Sequence, residues 1–196
     1  MTPSDWHLWI RRINRGVGLA CGLALAAACA MIILEIVMRR VAFGLIGGTD
    51  EISGYVMAGV VSWAAGYALI ERAHIRIDLL HRRLPVEGRA FLDVAALGAL
   101  LATSVVVLVY GWKVLSKSLA SHSTANTPLE TPLWIPQTVW LAGWVWFALA
   151  SAALLALTLW AVARRDWDAA AAIAGPESDA APLVAAAEGS EPEARP

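Results

Sequence analysis

The run ERAHIRIDLLHRRLP, residues 71–85, gathers imidazoles, carboxylates and guanidinium groups in an otherwise apolar chain. His74, Asp78 and His81 are residue types that bind metals or move protons, but their spacing limits both uses. On a helix, His74 and His81 stand roughly 10.5 Å apart along the axis, too far to share one metal ion directly. His74 and Asp78, at i and i+4, are placed to pair with each other instead. His7 and His122 also fall outside the apolar runs, so a bis-histidine haem of the kind held by a redox-enzyme anchor finds no imidazole within a span. P-loop, dinucleotide-fingerprint, nucleophile-elbow and HExxH motifs are missing. The sequence thus predicts no catalytic residue, no cofactor, no metal site and no nucleic-acid partner. The charged run reads as an interfacial elbow, with Arg stems reaching toward headgroups and Pro85 ending the segment.

A second group lies at the end of an apolar run. Glu35 precedes Arg39 and Arg40 by about one turn, and an ionisable residue within a span is costly unless it is paired or faces water. Two readings follow: a helix-face pair with Arg39 at i and i+4, or a pathway residue in a small autonomous channel or exporter. Asp50 and Glu51 stand just before the next apolar run, where the positive end of a helix favours carboxylates. A salt bridge from them back to Arg39 or Arg40 is a further expectation.

Hydropathy defines the elements that must hold these groups. Of 196 residues, 59% are hydrophobic and 16% charged, and ten Trp outnumber three Phe and three Tyr. That composition belongs to an integral membrane protein, with indole rings suited to the membrane interface. A hydrocarbon core about 30 Å thick takes about 20 helical residues to cross. Runs at about 17–38, 52–70, 91–115 and 134–163 qualify, predicting an all-α integral membrane fold with four transmembrane helices in a domain over residues 17–165. The second run is rich in Gly and Ala, which favours close helix packing. The fourth is long enough that it must tilt or begin in the interface at Pro136. Between the last two, SKSLASHSTANTPLETPLWIPQ predicts an ordered external loop turned by Pro128, Pro132 and Pro136. Cys21 and Cys29, about 12 Å apart along one helix, cannot form a disulfide within it and read as small packing residues.

The flanks differ in character. In residues 1–16, Trp6, Trp9, Ile10 and Ile13 recur at helical spacing with Arg11, Arg12 and Arg15 set off from that stripe, predicting a short interfacial amphipathic helix. No cleavable signal is expected, since the following apolar stretch is too long for a signal peptide. Residues 166–196, rich in Ala, Pro and Glu, read as a disordered tail. Lys and Arg set the orientation: ten flank the spans on the face holding both termini and the 71–90 elbow, and four on the other, leaving aside Arg195. Both termini and the elbow are expected to be cytoplasmic.

The segment from Leu34 to Pro85 resembles the small membrane subunit of tripartite ATP-independent periplasmic (TRAP) transporters. The matching elements are Arg40 and Phe43, the GTDEISGY block from Gly48 to Tyr55, Gly66, and the series His74, Arg76, Asp78, Leu84 and Pro85. A second block, TPLETPLWIPQTVWLAG from Thr127 to Gly143, is similar to the region before that family's last span. The resemblance implies a bacterial inner-membrane subunit that is a static scaffold beside a much larger permease subunit. That larger subunit carries substrate and sodium, and a periplasmic substrate-binding protein delivers organic acids to it. On this reading Glu35, Arg39, Arg40, Asp50, Glu51, His74, Arg76 and Asp78 are candidates for subunit contacts or structural roles, with no substrate site on this chain.

Overall fold

The computed structural model describes residues 3–41, 47–71 and 84–175, with side chains described from Arg12 onward. Five helices occupy them: α1 (Pro3–Val41), α2 (Thr49–Ile70), α3 (Val86–Ala120), α4 (Trp134–Ala163) and α5 (Trp167–Ala174). The first four are long and apolar enough to cross a membrane. Helix is the form such apolar runs must take, because hydrocarbon offers no partner to an unpaired backbone amide.

The spans pack in the spatial order α1, α2, α4, α3. Helix α1 touches α2 alone among the helices, while α4 touches α2, α3 and α5. They form an open layer rather than a closed bundle. The α2/α4 contact is the tightest: Gly143 is pressed against Ser62, where an added Cβ would lie 2.9 Å from the Ser62 carbonyl carbon, and Trp146 covers Gly66. The Gly- and Ala-rich second span therefore packs closely on a neighbour, as its composition predicts. Small polar side chains at these contacts bond within their own helices, Ser62 to the Gly59 carbonyl at 2.9 Å, Ser151 to Phe147 at 2.8 Å and Thr158 to Leu154 at 2.8 Å. That internal bonding lets a buried hydroxyl sit in an apolar contact without an orphaned donor.

The structure adds two findings at the flanks. No separate short helix precedes the first span, because α1 runs unbroken from Pro3 through Gly16 and Gly18 to Val41. Glycine lowers helix propensity without removing the backbone donor, so these two residues do not end the helix. Nor does disorder begin at residue 166. Asp166 caps α5 by accepting from the Ala169 amide at 3.0 Å, and Ala170 and Ala174 are buried, Ala174 within a cluster formed by Leu69, Leu97, Phe147 and Ala150. An Ala-rich turn carries little apolar area of its own, but its small side chains allow close approach to α3 and α4. Residues 176–196 lie outside the described residues.

The docking of α5 has a direct test. Ala170, only 2% exposed, leaves no room or partner for a carboxylate. Ala170→Asp is expected to destabilise the protein by about 2 kcal/mol, read as a lower midpoint of thermal unfolding in detergent. An unchanged midpoint would show that α5 contributes nothing to the folded layer.

Candidate functional site

Of the polar residues singled out by sequence, Glu35, Arg39, Arg40, Asp50 and Glu51 lie where α1 ends and α2 begins, close to the loop by which the chain re-enters α4. Near the end of α1, the Arg39 guanidinium donates to Glu35 Oε1 at 3.0 Å, with Glu35 12% and Arg39 63% exposed. The Glu35 carboxylate also takes a side-chain hydrogen bond from Thr49, the first residue of α2. One carboxylate thus pairs along its own helix and reaches across to the next.

Helix α2 starts on Gly48, whose φ of 96° is left-handed and whose missing side chain leaves space for Leu129. An L-residue here would be strained in φ and would collide with that leucine. One turn on, Glu51 is 8% exposed and collects hydroxyl donors from two parts of the chain. Tyr55 donates to Oε1 at 2.8 Å, and Thr127 from the 121–133 loop donates to Oε2. Thr131 adds side-chain and backbone hydrogen bonds to the same carboxylate. A charged acceptor strengthens each of these bonds relative to a neutral one.

The loop is built to present those donors. Thr124 and Pro132 form an isolated antiparallel bridge, Ala125 N–H donates to the Thr131 carbonyl at 2.9 Å, and Leu133 N–H donates to Ser123 at 3.0 Å. Glu130, with φ 46°, turns the chain in the left-handed region, and its amide closes onto the Thr127 carbonyl at 3.0 Å. Pro136 is the third residue of α4, where a missing N–H breaks no intrahelical bond. The loop is ordered, as its prolines suggest.

The structure therefore brings Glu35 with Arg39, and Glu51 with the distant loop. It does not make the expected bridge from Asp50 or Glu51 to Arg39 or Arg40: Arg39 pairs with Glu35 instead. Glu51 turns toward hydroxyls instead, and Asp50 is exposed, its backbone carbonyl accepting from Ser53. Arg40 is also exposed. Simple capping understates Glu51, which fastens α2 to a loop 76 residues away. His74, Arg76, Asp78 and the elbow that contains them lie outside the described residues.

A second polar contact joins α1 to the far end of α2, and sequence reasoning did not find it. Asn14, fully buried, donates through Nδ2 to Glu71 at 2.8 Å and to the Tyr67 carbonyl at 3.4 Å. Gly18, one turn along α1, lies against the Tyr67 ring. An Asn at the mouth of an apolar run, with an acidic residue closing the next run, was the available signal. These contacts and the Glu35–Thr49 bond set α1 and α2 antiparallel in one register.

No group of His, Cys, Asp and Glu able to hold a metal ion occurs among the described residues. The polar groups described join segments of chain to one another. Fold and site together define a multi-pass membrane protein whose polar residues organise its helices. The profile of the family "Tripartite ATP-independent periplasmic transporters, DctQ component" matches residues 28–165. The chain belongs to that family: it is the small permease subunit of a TRAP transporter, an inner-membrane transporter component and not an enzyme. No curated protein and no solved structure matches it.

Proposed function

We propose that this subunit scaffolds a larger permease subunit, holding the support of its moving part fixed in the bilayer during ion-gradient-driven, binding-protein-dependent uptake of an organic acid. The observation that carries the reading is the open layer of spans. Four helices side by side offer broad apolar faces to a neighbour, while the ionisable side chains of the described spans lie toward helix ends, where Glu35, Glu51 and Glu71 are engaged in joining segments. Such a layer has little with which to bind a hydrated anion, and a partner with its own site supplies what it lacks. An autonomous channel with Glu35 on its pathway is less well supported, because Glu35 is engaged by Arg39 and Thr49.

The excess of basic residues on one face supports cytoplasmic termini and a periplasmic 121–133 loop. That loop and the start of α2 then form a braced surface on the side where a soluble binding protein arrives. Sodium as the coupling ion and organic acids as cargo rest on family resemblance. Co-expression with the large permease should yield a complex that survives detergent extraction, and uptake in liposomes should require both subunits and the binding protein. Substrate uptake by this chain alone would overturn the scaffold reading.

A further inference from the structure

The seam between α3 and α4 is filled over one half and open over the other. Toward Ala163, α5 lies along it, and Ala174 closes a cluster with Leu97 of α3 and Phe147 and Ala150 of α4. Toward Trp134 the seam holds a furrow of about 440 Å³, walled by Val106, Tyr110 and Val114 of α3 and by Gln137, Trp140 and Trp144 of α4. Trp144 belongs to both halves, since it also packs against the cluster that α5 closes. We infer that the open half seats a transmembrane helix of the larger permease subunit, with small side chains along the contact and one polar side chain bonded to Gln137. This assignment rests on the scaffold reading and names the face by which the scaffold is joined.

Continuity is the first reason for a helix. The seam already accepts one, and it does so through alanines, Ala170 and Ala174 being 2% and 3% exposed. A second helix prolongs that line by the same kind of contact, in which small residues let backbones approach closely within a bilayer. The relief of the walls agrees. Val106, Tyr110 and Val114 follow one another at i, i+4 and i+8, and each is more than half exposed. Such a row is a ridge of the kind that enters the groove of a facing helix. Trp140 and Trp144 form the opposite wall, their rings in edge contact with centroids 6.1 Å apart.

The polar groups of that wall distinguish a helix from lipid. Gln137 Oε1 and Trp144 Nε1 are buried and have no hydrogen-bond partner. An acyl chain in the furrow offers neither donor nor acceptor, and leaves both groups orphaned in hydrocarbon. A Ser, Thr, Asn or Gln on a facing helix supplies a donor to Gln137 once its side chain rotates outward, and bonds of this type join helices in membranes.

The test uses the full chain co-expressed with the permease in membranes, carrying a benzophenone-bearing residue at position 114 or 140. Both positions should cross-link to the permease, whereas Val105 and Leu149, exposed on the opposite side of α3 and α4, should not when replaced by the same probe. Val114→Trp, which narrows the furrow from an exposed position, should leave the thermal midpoint of the isolated subunit unchanged and cut the permease retained on co-purification about tenfold. Gln137→Leu should cut it about threefold, and Gln137→Asn, which keeps an amide, by less. Cross-links from position 114 or 140 to lipid alone or to a second copy of this chain, or full retention of the permease by Val114→Trp, would overturn the proposal. A complex that forms and takes up substrate while its cross-links map to positions 105 and 149 overturns the furrow and leaves the scaffold reading standing. Failure of the unaltered chain to form any complex overturns both.

Discussion

Gly143→Leu is expected to separate α2 from α4 and to destabilise the protein by about 3 kcal/mol, seen as a large fall in thermal midpoint and loss of a monodisperse peak in detergent. An added Cβ at Gly143 would come within 2.9 Å of the Ser62 carbonyl carbon, and backbone cannot rotate aside as a side-chain tip can. The two helices must move apart, and the dispersion contacts along their interface go with them. In a membrane that loss is severe, since lipid tails are as apolar as leucine and helix association rests on close packing. Gly22→Leu is the matched control: Gly22 is exposed on α1 with nothing within 4 Å of an added Cβ, so it should leave the midpoint unchanged. Equal behaviour of the two variants would refute the assigned helix contact.

Glu51→Ala is expected to have the second largest effect, on the loop more than on the spans. It removes the shared acceptor of Tyr55, Thr127 and Thr131, and with it the side-chain link from α2 to the 121–133 loop. Cleavage within that loop by added protease should rise about tenfold, following the population of the opened loop. Glu51→Gln keeps an acceptor oxygen without the charge and should fall between the two. Adding Thr127→Ala to Glu51→Ala should change little further, because their common contact is already gone. Loop cleavage in Glu51→Ala at the rate of the unaltered protein would show that the loop holds its place by other means. If the scaffold function holds, the same variant should weaken uptake that depends on the binding protein while leaving the two membrane subunits together.

The four spans were legible in the sequence because each is long enough to cross hydrocarbon and has a composition no soluble helix needs. The close packing of α2 was legible too, from residues such as Gly59 and Gly66 in a run with few large side chains. Glu35 with Arg39 is an i, i+4 pair, and local spacing sufficed to predict it. Glu51 exposes the limit of that reasoning: spacing finds Tyr55 one turn away, but Thr127 and Thr131 meet the carboxylate only after α2 and α3 have folded. The sequence blocks that carry the family resemblance, GTDEISGY and TPLETPLWIP, read as separate signals until the fold placed one on the other. Helix α5 was missed for a different reason. Its alanines supply little hydrophobic pattern, and their burial comes from the grooves of α3 and α4, which composition cannot reveal. The lateral order of the helices was equally hidden, since hydropathy locates spans without saying which neighbour each one has.

That lateral order bears on biogenesis. Helix α4 is the last of the four spans to leave the ribosome, yet α2 and α3 both lie against it. The hairpin of α1 and α2 enters the bilayer as a pair with its own contacts, whereas α3 arrives with its principal neighbour still unmade. The nascent layer therefore has a gap at its centre until translation passes Ala163, and only then can Thr127 and Thr131 be held against Glu51 from both ends of their loop. A released chain truncated after Ala120 should leave α3 without stable packing on the hairpin, detectable as absent cross-links between them.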